Sequence, residues 1–298
     1  MGSSEPIAPP SIVPGGGPFN VARALARLGV RVAFVGRIST DEHGRTLRAA
    51  LLADGVDLGM SIETDAPTLL ADATLDADGT ARYRFTPDAS AAAGLAATDL
   101  PEALPPTTSA LHVGSLGLVL EPLAGAIEAL VAAAAADILV FVDLNIRPVA
   151  ITDTLTFRAR LARLLRRVDV VKASAEDLAW LAPGTDSVLA AQLLIGGGPA
   201  VVLVTDGPRP VRVVTETEAM AVDVPTVSVV DTVGAGDAFG AGFLAAWTGA
   251  GRGRVELADL EAVVEATRFA VEVGTRAVMR AGADPPTLVE LGESARRW

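Results

Sequence analysis

The stretch Asp231-Thr232-Val233-Gly234-Ala235-Gly236-Asp237-Ala238-Phe239-Gly240-Ala241-Gly242-Phe243 combines three features that chemistry can use. It follows an apolar, strand-like run at 227–230 and leads into an apolar helix. Gly234-Ala235-Gly236 places small residues at the start of that helix, where backbone N–H groups have no intrahelical acceptor and the helix dipole is positive. Such a turn binds anions. Asp237 falls in the first turn, beside the anion site. A carboxylate there is electrostatically awkward unless its work is to accept a proton. The alternative is an ordinary first-turn acid that complements the dipole.

Four further segments carry polar groups at the ends of apolar runs. Asp143-Leu144-Asn145-Ile146-Arg147 follows the apolar run 138–142 and spaces three polar side chains by two, at the strand end where ligands of open α/β sheets bind. A structural Asp143–Arg147 pair is the other reading. Lys172-Ala173-Ser174-Ala175-Glu176-Asp177 follows the run 168–171 and also reads as a capped helix start with first-turn acids. Thr205-Asp206-Gly207 follows the run 201–204 and doubles as a strand-to-turn signal. Gly16-Gly17-Pro18-Phe19-Asn20 opens the first helix, with Pro18 in the favoured first turn.

Composition narrows what this chemistry can be. The chain has 298 residues, is half apolar, and carries a formal net charge of −12. A long-range negative field repels nucleic acids and anionic membranes, so neither is expected as a partner. Cysteine is absent, which excludes disulfides, zinc–thiolate sites and thiol nucleophiles. His43 and His112 are distant in sequence, which disfavours a Ser-His triad, and His112 reads as a core residue. No apolar run is long enough to span a membrane, and the Pro-rich start lacks a secretory signal's pattern, so a cytoplasmic location is expected. Lys172 is the single lysine among 24 basic residues. It does not lie in a G-x-x-x-x-G-K-[ST] loop, so phosphate must be held by backbone groups and arginine.

The elements that must position these residues alternate. Helices are expected after Pro18, from Thr40 or Asp41 to Gly55, and at 122–136, 154–167, 175–181, 235–248 and 257–278. Short apolar strands fall at 30–35, 110–113, 138–142, 168–171 and 201–204, with short strands within 211–230. This pattern predicts a mostly parallel sheet covered on both faces. Two strand-like runs around Asp78-Gly79 predict an antiparallel hairpin within 68–86 that projects from the alternating chain. Residues 1–298 read as one α/β domain with this small β appendage.

The segment Asp231 to Phe243 resembles the C-terminal signature of the ribokinase-like carbohydrate kinases, the phosphofructokinase-B family. The Gly16-Gly17…Asn20 turn with Gly29 at the helix end is similar to its N-terminal signature. Ser39 departs from the family's usual glycine. The resemblance implies a three-layer ribokinase-like sandwich with a β lid, strands of which are expected within 5–14 and 68–86, and a homodimer through that lid. It implies an ATP-dependent kinase of a small sugar. The Pro-Phe-Asn form and the Asp-x-Asn-x-Arg stretch are most similar to bacterial fructokinases, which points to fructose. Another sugar, a sugar acid or a nucleoside remains open, as does a binding relative with impaired catalysis.

The same resemblance assigns roles. Asp237 is the general base, the N–H groups of Gly234, Ala235 and Gly236 form the anion hole, and Arg147 offsets transferred charge. Thr205, Gly207, Asn145 and Lys172 are expected on the nucleotide, and Gly16, Gly17, Asn20 and Asp237 on the sugar. Asp177 and Glu176 would organise Mg²⁺ through water. Asp231, Val233, Ala277 and Gly282 would form a K⁺ site. The family's first strand needs more residues before the glycine turn than the 14 that precede Gly15 here, so that strand is expected to be absent and the activity weakened.

Overall fold

Strand β6 (Leu139–Asp143) shows why the architecture has three layers: all five of its residues are buried. Leu139 and Phe141 enter one apolar cluster, and Val140 and Val142 enter another on the opposite face. A strand that is apolar on both faces needs helices on both sides. The computed structural model describes residues 13–75, 81–86 and 89–292 and supplies them. Helices α1 (Gly17–Arg27), α7 (Ala235–Gly249) and α8 (Leu260–Ala277) cover the first face. The second is covered by α3 (Leu123–Ala133), α4 (Thr154–Leu165), α5 (Ala175–Leu181) and α6 (Ser187–Ile195).

Strands β5 (Ala110–Gly114), β6, β7 (Val170–Ser174) and β8 (Val201–Asp206) run parallel. The antiparallel β9 (Arg209–Val214) and β10 (Ala219–Val222) extend this sheet to six strands, ordered β10-β9-β8-β7-β6-β5. A separate parallel pair is formed by β1 (Gly36–Ser39) and β2 (Ser61–Thr64), joined by α2 (Glu42–Ala53). This pair has its own small core of Phe19, Ala22, Ile38, Leu51, Val56 and Leu58. A short α9 (Leu288–Leu291) closes the described chain. Among the described residues no helix is long and apolar enough to cross a membrane.

Among the described residues nothing pairs with the outer edge of β5, and no strand precedes α1. A continuous cavity of about 2390 Å³ lies against that edge. It is lined by Val32 and Phe34 on the β1 side and by Leu111 and Val113 of β5, and it runs on to Asn20 and Asp237.

The expected hairpin is present as β3 (Ala71–Leu75) paired antiparallel with β4 (Ala81–Phe85). Its tip, including Asp78 and Gly79, lies outside the described residues. So does most of the lid strand expected within 5–14; Val13 and Pro14 are not in a strand. Leu70, Ala71 and Phe85, at the hairpin's base, line the same cavity as Asp237.

Three expectations are corrected. Residues 30–35 form no strand beyond a single bridge from Ala33 to Asp57, and the ladder begins only at Gly36. The inner side of this segment faces the cavity, so it has a partner on one edge alone. Residues 227–230 are not in a strand; Val229 and Val230 stand exposed. The strand expected at 168–171 runs from Val170 to Ser174 instead. Helix α6 and strand β2 were not apparent in the sequence. SVLAAQLLI is too evenly apolar to show a helical period, and SIET is too short to show alternation.

Candidate active site

Helices α1 and α7 bring their N-termini together at the carboxyl end of the parallel strands. Gly234 has φ +77°, in the left-handed region. A Cβ there would lie 2.7 Å from the Ala283 Cβ, so both the conformation and the space require glycine. The turn places the first amides of α7 at the end of the helix, and of these the Ala235 amide donates to the Thr232 carbonyl at 3.2 Å. Asp237 follows in the first turn and is 8% exposed.

Asn20, three residues into α1, donates from Nδ2 to Asp237 Oδ2 at 2.7 Å. Its Oδ1 is buried without a protein partner, an acceptor ready for a ligand hydroxyl. Gly17 fits where a Cβ would come 3.3 Å from Ser115 and 3.4 Å from the Asp237 carboxylate. Residues 217 positions apart therefore form one polar nest. Burial raises the Asp237 carboxyl above its ordinary value; the Asn20 hydrogen bond and the charges of Lys172 and Arg147 oppose that rise.

The strand ends supply the rest. Asn145 and Arg147 follow β6 and line the cavity with Asp237. Asn145 takes φ +37°, unusual for a residue with a side chain. The loop is held by Asp177, whose Oδ1 accepts the Ile146 amide at 2.7 Å and whose Oδ2 accepts the Ser174 amide at 2.8 Å. Ser174 caps α5 in return. The capping reading of Ser174-Ala175-Glu176-Asp177 is thus realised, and Asp177 also fixes the Asn145–Arg147 loop. Glu176 stands exposed beside it.

Lys172, expected on the nucleotide, turns its ammonium onto Asp143, with Nζ 3.0 Å from both carboxylate oxygens. The alternative Asp143–Arg147 pair is not formed. Burial pushes the Asp143 carboxyl up to about 6 even so. His112 stacks on Phe141 at 5.5 Å, and burial, with Lys172 nearby, pushes its imidazole down to about 4, so it is neutral; expected in the core, it is half-buried and borders the cavity.

Thr205 and Gly207 sit at the end of β8, two strands from β6, and do not line the cavity that holds Asp237. Asp206 pairs with Arg209 at 2.7 Å and shapes the turn into β9. Asp231 accepts the Val233 amide at 3.0 Å and the Gly282 amide at 2.8 Å, which holds its carboxyl below the ordinary range. Those bonds bring Asp231, Val233 and Gly282 together; Ala277 is buried at the end of α8. No cluster of three or more metal-ligating side chains occurs among the described residues. Gly16, with φ +124°, caps α1 and lines the cavity.

The site missed in the sequence is the inward-facing pair Asp143–Lys172. Its only trace there is one lysine and one aspartate at the ends of neighbouring apolar runs.

Residues 7–289 match the model of the pfkB family of carbohydrate kinases. The chain is 38% identical over 232 residues to a fructokinase of Rhizobium leguminosarum bv. trifolii, covering 78% of this chain and 70% of that one. Its fold superposes on the fructokinase of Xylella fastidiosa with bound ATP at a TM-score of 0.86 and 32% identity, covering 95% and 90% of the two chains. A double mutant of the Vibrio cholerae O395 fructokinase, bound to fructose, ADP and potassium ion, gives 0.79 at 28% identity, covering 90% and 86%.

Proposed function

Because the chain belongs to the pfkB family of carbohydrate kinases, we propose that it transfers the γ-phosphoryl group of ATP to a hydroxyl of fructose. The observation that carries this reading is the buried Asp237–Asn20 pair at the N-terminus of α7, open to the cavity. Its curated relatives and structural neighbours include fructokinases, one of them bound to ATP and one to fructose and ADP.

The chemistry follows from positions. Asp237 takes the proton of the attacking hydroxyl, the new P–O bond forms, and the bond to the ADP oxygen breaks. Asn20, with one amide atom on Asp237 and Oδ1 free, orients the sugar together with Gly16 and Gly17. The amides of Gly234, Ala235 and Gly236 meet the charge on the transferring group, and Arg147 adds a positive charge at the same cavity. Asn145, Thr205 and Gly207 lie on the nucleotide side. The hairpin β3–β4 covers the sugar and limits water.

Mg²⁺ fits this site when ATP phosphates supply most of its ligands, because Asp177 uses both oxygens on backbone amides. Glu176 and Asp177 would then hold its waters, and the ion would offset phosphate charge. K⁺ fits the turn of Asp231, Val233, Ala277 and Gly282 only through carbonyl oxygens, since Asp231 already holds two amides. The protein acts in the cytoplasm, as a homodimer through the lid; sedimentation tests the latter.

One observation favours a second reading. The cavity between β1 and β5 leaves the sugar side of the sheet discontinuous, which fits a chain that binds sugar and nucleotide but turns over slowly. A coupled ADP-release assay over a panel of sugars, sugar acids and nucleosides, with fructose binding measured in parallel, decides. Turnover greatest with fructose is expected. Binding without turnover establishes the second reading, and no sugar-dependent ADP release or binding overturns both.

A further inference from the structure

Lys172 is the single lysine of the chain, and its side chain is 6% exposed. A buried ammonium is tolerated only with close counter-charge. Asp143, itself 4% exposed, supplies it with both oxygens at 3.0 Å. The place of this pair is the informative part. A Cβ built on Gly236 would lie 2.7 Å from Lys172 Nζ. The ammonium is therefore packed against the inner side of the first turn of α7, and Gly236 is glycine because the lysine fills the space of a side chain. A helix N-terminus is the positive end of its dipole, so a cation there is repelled by the turn. The two carboxylates, Asp143 and Asp237, are what make the position tenable.

We propose that Lys172, held by Asp143, is a positioning residue for phosphoryl transfer: its ammonium supports the α7 turn from behind and keeps Asp237 in the ionised form that accepts a proton. This rests on the kinase reading and adds to it a buried residue that borders the same cavity as Asp237. The groups around Asp237 show why the lysine matters. Asn20 of α1 is uncharged. His112 of β5 is neutral. Asp143 of β6 and Asp177 of α5 are negative and lie toward Lys172. Arg147, in the loop after β6, and Lys172 of β7 are the cations that favour ionised Asp237. Arg147 is half-buried at the cavity, whereas Lys172 is enclosed and screened least.

The test compares the native chain with Lys172→Met and with the double variant Lys172→Met/Asp143→Asn, which leaves no orphaned carboxylate beside the new side chain. Two readouts are taken: kcat and KM against pH with fructose and ATP, and the ¹³C titration of the Asp237 carboxyl, which needs no substrate. Both variants are expected to lose about 100-fold in kcat with KM for fructose within about twofold. In Lys172→Met the Asp237 titration and the acid limb of kcat move to higher pH by about one unit, because removing a cation disfavours the carboxylate; in the double variant the loss of the Asp143 charge reverses part of that shift. A folded Lys172→Met variant whose Asp237 titrates as in the native chain overturns the proposal and leaves a structural ion pair. A native chain inactive toward every sugar overturns the kinase reading instead, and the titration then judges Lys172 alone.

Discussion

Asp177 Oδ1 accepts the backbone N–H of Ile146 at 2.7 Å, so the carboxylate that caps α5 also anchors the loop carrying Asn145 and Arg147. Two segments that look independent in sequence are one unit in the fold. Asp177→Ala leaves the buried amide of Ile146 and the part-buried amide of Ser174 without acceptors. Loss of about 2–4 kcal/mol is expected from unmade buried hydrogen bonds, read by urea denaturation. A fall in kcat with Arg147 still in place accompanies it. Unchanged stability refutes the anchoring role.

Asp237→Ala tests the general base. Turnover is expected to fall by about 10²-fold or more, while ATP affinity changes little, as follows if the carboxylate acts on the sugar hydroxyl. Steady-state kinetics and calorimetric titration of ATP are the measurements. Retained turnover would remove Asp237 from the proton-transfer role.

Gly234→Ala combines two penalties: a side chain at φ +77° and a Cβ 2.7 Å from Ala283. Strain of about 1–3 kcal/mol is expected in Tm-derived stability. The α7 turn must shift, so kcat falls more than KM for fructose rises. Ala283→Gly relieves only the contact, so it rescues the double variant in part.

The pH dependence has two signs. A base must be ionised to accept a proton, and burial raises both Asp237 and Asp143, the latter to about 6. Activity is therefore expected to decline at a pH above the ordinary carboxyl value as Asp237 takes up its proton. The stability contribution runs the other way. A carboxyl raised in the folded state stabilises fully below its unfolded value of 3.8 and loses that contribution as pH rises through about 6. Asp143→Asn is expected to flatten that segment of the stability profile.

The free edge of β5 has a dynamic signature. Strands β6, β7 and β8 are paired on both sides, whereas among the described residues β5 is paired only with β6. Amide exchange is expected to be faster for the β5 amides not bonded to β6, and for residues 30–35, than for β6 to β8. Equal protection across these strands would show that the cavity edge is covered in solution.

Much of the scaffold was legible because its signals are local. Continuous apolar runs gave the inner strands, Asp41 and Gly55 marked the ends of α2, and Asp78-Gly79 marked the hairpin. The failures lie where tertiary surroundings decide. Residues 30–35 have strand composition but, among the described residues, no partner on their inner edge, and a strand is defined by its partners. The apolar residues 227–230 end outside the ladder.

The sequence by itself determined the chemistry. Gly234-Ala235-Gly236-Asp237 at a helix start, with Gly16-Gly17…Asn20 far upstream, carried the kinase resemblance, because backbone conformation and side-chain type are local properties. Only the tertiary structure decided what surrounds them. It joined Asn20 to Asp237 and turned Asp177 toward the loop of Arg147. It also turned Lys172 inward onto Asp143, behind Gly236. Those arrangements depend on which strand ends and helix termini meet in space, and residue type alone does not encode that meeting.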